Sequence, residues 1–568
     1  MRTAIEKIVF FHHFLKVSSY YIFVFLHRIA AETQFERHKL LQKVCKYTFF
    51  SEMEIAQDFF INRLFIFDFS CVTLVGSIAQ NLSIFFRKFA SFKIDFMPIV
   101  DKTKELETEK IGRLLLVYAL PAVISQIIAS VYNLVDRMFL GQCVSALAIT
   151  GLGITMPIMN IIHAFGSLVG AGSASRMSIV LGRKDQRWAE KILGNSVILT
   201  FIFGFLFVGV GYLKMDDILG LFGASADTIG YAREYMIIVL PGMFLTTLTF
   251  NLAGLIRASG YPIKAMIILA GGAVLNIILD ALFIYKLDLG IAGAAWATTI
   301  SMAVSAFFSV LHFIQNSSFI RFHRHVWKPK GYIFRNILMI GISPFSMNLA
   351  GSAVVALLNV QLLRYGGDLA VGANVVVNSY AMLILMLMLG LCQGMQPIAG
   401  YNYGAGHNHR LKEVYILTMK ICVAVGVFGA ITSVCFPAFI SGMFTKDTEL
   451  INISSMAMPL LLVMAPLIGF TITNSQFFQS IDKPWIAIVT SLSRQVLFLI
   501  PMMFIVPDIF TYFGGDGLTG VFASCTICDV LGAVLAAILL FSQRKVFRPG
   551  YVPPARRPKK ENSPKQMD

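Results

Sequence analysis

The chain has 568 residues, of which 57% are hydrophobic and 14% charged, and its formal net charge is +16; mean hydropathy is +0.72. A soluble globular chain carries about 25% charged residues, and so few charges cannot cover a surface of this size with solvated groups. An ordinary soluble enzyme is therefore excluded, and lipid becomes the solvent for most of the chain. The basic excess sits in short connections and in the tail, where it reads as a topology signal; no nucleic-acid partner is expected.

Residues 1–96 hold 18 of the 49 Phe, one of the 44 Gly and none of the 19 Pro. Everything after Met97 is rich in Gly and Pro, as membrane bundles are. Of the two apolar runs in the leading stretch, 20–26 is too short to span and 70–86 carries Gln80, Asn81 and Ser83. An excess of Phe, Ile and Lys with almost no Gly or Pro is what translated AT-rich DNA looks like. The natural start is expected at Met97, with an extra anchor or regulatory arm as the alternative.

From Ile111 onward, apolar runs of helical length recur. The expected spans are 112–140, 146–175, 190–213, 234–257, 263–286 and 291–316, then 333–364, 369–400, 412–438, 451–480, 485–508 and 517–542. They define a first lobe over 97–316, a linker over 317–332, a second lobe over 333–545 and a disordered basic tail over 546–568. One set of alternating connections carries Arg183, Lys184, Arg187, Arg321, Arg324, Lys328, Lys330 and Arg410, and the tail continues the series. The positive-inside rule puts both termini and the linker in the cytoplasm.

The halves repeat at an offset of about 222 residues: Gly182 faces Gly404, Gly220 faces Gly442, Pro262 faces Pro484 and Pro121 faces Pro344. Six spans per repeat make the two halves enter the membrane the same way. The expected fold is all-α: twelve transmembrane helices in two parallel six-helix repeats, related by a pseudo-two-fold axis along the membrane normal. That is a transporter architecture, with its binding sites near the interface of the halves.

Inside the spans, away from their ends, acids are nearly absent. The first half has Asp136 and Asp280, and the second has Asp529. A charged Asp at a helix centre costs roughly 2.5–3.5 kcal/mol, so such residues face an interior or a water-filled cavity. Desolvation favours the protonated carboxyl, which suits Asp136 and Asp280 to bind and release a proton. Asn276 and Asp280 lie four apart on one helix face, and Asn133 and Asp136 three apart on another. Thr298 adds a hydroxyl at a similar depth. Carboxylate, amide and hydroxyl oxygens are hard ligands that also suit sodium at Asp136 and Asp280. Asp529 reads equally as packing or function.

Several motifs occur together and in order. Ser130-Val-Tyr-Asn-Leu-Val-Asp-Arg-Met-Phe-Leu-Gly141 resembles the first-helix signature of the multidrug and toxic compound extrusion (MATE) transporters. Asn276-Ile-Ile-Leu-Asp280, Gly290-Ile-Ala-Gly-Ala-Ala-Trp-Ala-Thr298 and Gln393-Gly-Met-Gln-Pro-Ile-Ala-Gly-Tyr-Asn-Tyr-Gly-Ala405 extend the likeness over about 110–545. The last motif is similar to the MepA-like branch, close to the DinF type. The resemblance implies a proton- or sodium-driven pump that expels cationic amphipathic drugs. It implies a cation site of Asp136, Asn276, Asp280 and Thr298, with Asn251 in the fourth span as a further member. It also implies that the first helix bends at Pro121; a static kink is the other reading of that proline. The acids that some family members carry in the seventh and tenth helices have no counterpart here, which concentrates coupling on the first half.

Substrate contacts are expected at Asn133, Gln393, Gln396 and Met388. The coupling ion is H+ or Na+, with the proton favoured, and no cofactor is expected. The partners are small cationic drugs and the lipid bilayer, for a monomer in a bacterial inner or plasma membrane. Two alternatives stand beside antiport of drugs by alternating access. A flippase or exporter of a lipid-linked saccharide would need several bases within the spans, where Arg494 is nearly alone. An intramembrane enzyme would need a nucleophile with its base, or a metal motif, and the sequence has neither.

Overall fold

The computed structural model describes residues 102–143, 146–222, 228–287, 289–315, 318–445 and 447–551. The expectations for residues 1–96 and for the tail past 551 lie outside the described residues. Among the described residues every regular element is helical, because in hydrocarbon each backbone N–H and C=O must find its partner within the segment.

The first half contains α1 (Ile111–Cys143), α2 (Ala146–Gly182), α3 (Gln186–Leu213), α4 (Ile229–Ala258), α5 (Pro262–Asp280) and α6 (Gly290–Ile314). A π-turn, Ala281–Lys286, carries α5 onward. The next helical run, Gly331–Ala405, divides at Gly367 into α7 (331–366) and α8 (368–405), and there φ is 64° and ψ −165°. Only glycine takes that conformation readily, so one residue makes the corner between two spans. Then follow α9 (Asn408–Cys435), α10 (Thr448–Leu462 and Ala465–Ser480, bent by 48°), α11 (Pro484–Tyr512) and α12 (Gly517–Ser542). Twelve spans result, six on each side of the linker, close to the boundaries the hydrophobic runs predict.

Local signals set the helix ends. Asp185, Asp447 and Asp516 cap α3, α10 and α12 by accepting backbone N–H bonds. Pro262 and Pro484 occupy the first turns of α5 and α11, where a missing N–H costs nothing. Phe205, Phe307, Phe428 and Phe541 are each more than 60% exposed. So much large apolar surface on the outside of a bundle requires lipid around it.

The two halves meet at the end that holds the 318–330 linker, and glycines set the distance. A Cβ at Gly182 of α2 would stand 2.0 Å from the carbonyl oxygen of Tyr401 on α8; one at Gly404 would stand 2.0 Å from that of Ile179. These two contacts exchange under the 222-residue offset, so the pseudo-two-fold axis passes between them. Gly172 on α2 meets Gly341 of α7, and Gly394 on α8 meets Ala119 of α1, in the same reciprocal way. Farther along, Phe165 and Phe345 pack ring to ring at 4.7 Å.

Polar contacts close the same end. Arg410 at the start of α9 donates to the backbone oxygens of Leu106 and Glu109, at 3.2 and 2.6 Å. Arg176 of α2 pairs with Asp482, in the α10–α11 turn, at 3.0 Å, and both side chains are buried. Asp482 holds φ at 59°, whereas its repeat partner Gly260 has φ 98°. The second half therefore keeps a carboxylate at a backbone position that favours glycine.

Candidate functional site

In the first half, α1, α4, α5 and α6 bring polar side chains together inside an apolar bundle. Asp280 is fully buried, Asn276 and Thr298 nearly so, and Asp136 is 9% exposed. With its amide nitrogen turned toward Asp280, Asn276 lies 3.3 Å from Oδ2 of that residue. Its oxygen then accepts from both the backbone N–H and the hydroxyl of Thr298, each at 3.2 Å; this orientation satisfies both ends of the amide. Asp136 lies within electrostatic reach of Asp280. Asp280 Oδ1 is buried with no hydrogen-bond partner among the described residues. A second ionised carboxyl there would be a buried, poorly compensated charge, so the pair fits a shared proton or a hard cation such as sodium. The π-turn begins at the residue after Asp280, and such turns recur at functional sites.

Tyr235 of α4 completes this group and has no signal in the sequence. It is buried, its phenol lies beside Thr298, and it is within electrostatic reach of both Asp136 and Asp280. Its spacing from other polar residues, in a stretch with Arg233 and Glu234, reads as a helix start at the membrane boundary.

Asn251 is not brought to this cluster. It accepts from Ser173 at 2.7 Å and donates to Ser196 and Thr200 at 3.2 and 3.1 Å. It ties α2, α3 and α4 together. Pro121 lies within α1, and Ser125 donates to its carbonyl at 2.9 Å. The side chain of Asn133 lies outside the described residues.

The second half carries a different polar group. Arg494 of α11 donates through Nε to Oδ1 of Asp529 on α12, in a pair whose carboxylate is buried. Gln396 of α8 donates to Gln476 of α10 at 2.5 Å, and Gln393, one turn earlier, is half-buried. Met388 is fully buried in an apolar cluster with Ile384, Cys392, Cys422, Ile468 and Ile472; it packs the core there. A small cleft, with room for little more than a water molecule, opens beside Arg494.

Two six-helix repeats that meet at one end, with buried carboxyls inside one of them, form a two-lobed multi-pass membrane bundle of the kind that transporters use. The MatE family model matches residues 121–282 and 344–505, once in each half. The chain belongs to the MatE family and is a MATE transporter, not an enzyme. It is 26% identical over 444 residues to the multidrug export protein MepA of Staphylococcus aureus strain NCTC 8325 / PS 47, across 77% of this chain and 95% of that protein. With MepA of Staphylococcus haemolyticus the identity is 24% over 438 residues, at the same coverage. Among solved structures it is similar to MATE in the bent conformation, with a TM-score of 0.73 and 23% identity over 79% of this chain and 98% of that one. It is also similar to a MOP superfamily transporter from Pyrococcus furiosus, with a TM-score of 0.72 and 23% identity over 78% and 97%. The multi-pass membrane fold read from the sequence is the fold of these proteins.

Proposed function

We propose that the protein is a secondary active multidrug exporter that exchanges a cation, the proton before sodium, for cationic amphipathic compounds. The observation that carries this reading is the buried Asp136–Asp280 pair, held by Asn276, Thr298 and Tyr235 in one half of a two-lobed bundle. The MepA relatives, whose names state multidrug export, support the class of cargo. The basic linker end faces the cytoplasm by the positive-inside rule. A bundle closed at that end is then outward-facing, the state that releases drug and takes up the coupling ion. Ion binding at Asp136 and Asp280 favours release outside; its discharge inside reopens the linker end, with Pro121 as the bend in α1. The protein works as a monomer in a bacterial inner or plasma membrane, with both ends in the cytoplasm.

The test is efflux of a fluorescent monocation from drug-sensitive cells expressing the full chain, with a protonophore or sodium removal in parallel arms. Protonophore-sensitive efflux that Asp280→Asn abolishes is the expected result. Sodium-dependent efflux would keep the site and change the ion. No efflux of any cation, with the protein in the membrane, would move the weight to the lipid-linked saccharide alternative.

A further inference from the structure

The segment ahead of α1 lies over the closed end and touches both halves. It contains a single helical turn, Glu105–Thr108. Leu106 is fully buried, in the apolar cluster that holds Leu411 and Val414 of α9. Its carbonyl oxygen accepts from Asn402 Nδ2 of α8 at 3.3 Å and from Arg410 Nη2 of α9 at 3.2 Å. The same Arg410 nitrogen reaches the Glu109 oxygen at 2.6 Å, and Arg410 Nε donates to Asn402 Oδ1 at 3.2 Å. Glu107 sits between these anchors and faces two ways. Tyr401 of α8 donates its hydroxyl to Oε2 at 3.3 Å, and Lys184 Nζ, from the α2–α3 turn, lies 3.5 Å from that oxygen.

We propose that residues 105–109 form a latch: seated on the second half by Leu106 and gripped from the first by Lys184, they hold the linker end shut, and their release is part of its opening. The inference rests on the exporter reading above, in which this end opens and shuts, and is independent of the cargo and of the coupling ion. The backbone of the gripping residue supports it. The described residues include two non-glycine residues at positive φ, Lys184 at 58° and Asp482 at 59°. Under the 222-residue offset they stand where the other half has Gly406 and Gly260, at φ 76° and 98°. A residue with a Cβ adopts that conformation unwillingly and keeps it where its surroundings impose it. Both exceptions are charged, and both pair across the closed end. Asp482 of the second half pairs with Arg176 of the first, and Lys184 of the first pairs with Glu107, which is seated on the second. Each half thus places a charge where the other has glycine, and each charge reaches across.

The repeat supplies a further argument. The chain ahead of α7 crosses to the first half in the same way. Asn195 of α3 accepts from the Lys330 N–H at 2.8 Å and donates to the Lys328 oxygen at 3.3 Å. A Cβ at Gly194 would stand 2.3 Å from the oxygen of Val326. Each half is therefore overlapped by the lead of the other's first helix. The linker joins the halves through its covalent chain in any conformation. The lead of α1 reaches the second half through non-covalent contacts alone, which can be made and broken in each cycle.

The experiment reads opening of the linker end in purified full-length protein carrying Ser178→Cys, held in nanodiscs. Ser178 of α2 is buried against Gly400 of α8, so a water-soluble maleimide reaches a cysteine there when the halves part. Mass spectrometry of the peptide that holds residue 178 gives the labelling rate apart from the native cysteines. Leu106→Ala raises that rate about tenfold or more, the scale of a lost core leucine. Lys184→Gly and Glu107→Gln each raise it about two- to threefold, the scale of an exposed ion pair. The double variant K184G/E107Q gives no more than either alone, because both remove one contact. Lys184→Gly also separates the latch from folding and decides the matter where Leu106→Ala does not fold: glycine suits its φ, so the melting temperature holds or rises while labelling quickens. Labelling unchanged in Lys184→Gly and Glu107→Gln, multiplied effects in the double variant, or quickening only in step with a lower melting temperature would overturn the proposal. Quickened labelling in these variants, with no cation exported from cells by wild type, would instead contradict the exporter reading and leave the latch standing.

Discussion

The two halves share one backbone plan and carry different polar groups inside it. Counting from the matched prolines, Asp136 corresponds to Asn359, Asn276 to Phe498 and Asp280 to Met502, while Gly272 corresponds to Arg494. Every member of the first half's carboxyl cluster on α1 and α5 is replaced by a neutral or apolar residue in the second. The contacts that close the linker end, by contrast, are kept as reciprocal pairs, Gly182 with Tyr401 and Gly404 with Ile179. Duplication therefore preserved what both halves need in order to meet. Residues that bind something inside one half were free to diverge.

The largest test of this division is a pair of neutralised acids. Asp280→Asn should abolish the accumulation that a pH gradient drives, about tenfold per unit for one proton exchanged with one monovalent cation. Asp529→Asn should leave that gradient dependence in place. Everted vesicles with an imposed pH step measure both. The same stoichiometry is electroneutral, so a membrane voltage alone should drive no export.

Closure at the linker end comes next. Breaking the buried Arg176–Asp482 pair with Arg176→Leu should weaken the closed state by about 3–5 kcal/mol. Faster labelling of a cysteine placed on α8 at that end would report it. Gly182→Val and Gly404→Val should each act the same way through overpacking, by about 1–3 kcal/mol. Their near-equality is the sharper point, since the two sites exchange under the repeat. The smallest expected effect is at Tyr235→Phe, which removes a single hydroxyl beside Thr298. It should cost about 1 kcal/mol, seen as a shift of about 0.7 unit in the pH at half-maximal export.

Much of the fold is legible in the sequence. The apolar runs predict twelve spans, the corner between α7 and α8 falls at Gly367, and the repeat offset comes from paired Gly and Pro. Part of the first-half cluster is legible too, because Asn276 and Asp280 share a helix face and a lone intramembrane Asp needs a reason. Pairings across helices are not. Arg494 and Asp529 lie 35 residues apart, and Arg176 and Asp482 lie 306 apart. Helical periodicity defines a face, but which helix that face meets is set by packing. Asn251 shows the limit from the other side: its amide has the right chemistry for a cation site, yet it is held by Ser173, Ser196 and Thr200 and joins three helices.

Proton release on drug binding tests the central claim most directly. Purified protein in weak buffer is mixed with a saturating monocationic dye, and the pH change is read against added acid. The account predicts about one proton released per dye bound by wild type and by Asp529→Asn, and none by Asp280→Asn. Undiminished release from Asp280→Asn, or its loss in Asp529→Asn alone, would contradict the assignment of coupling to the first half.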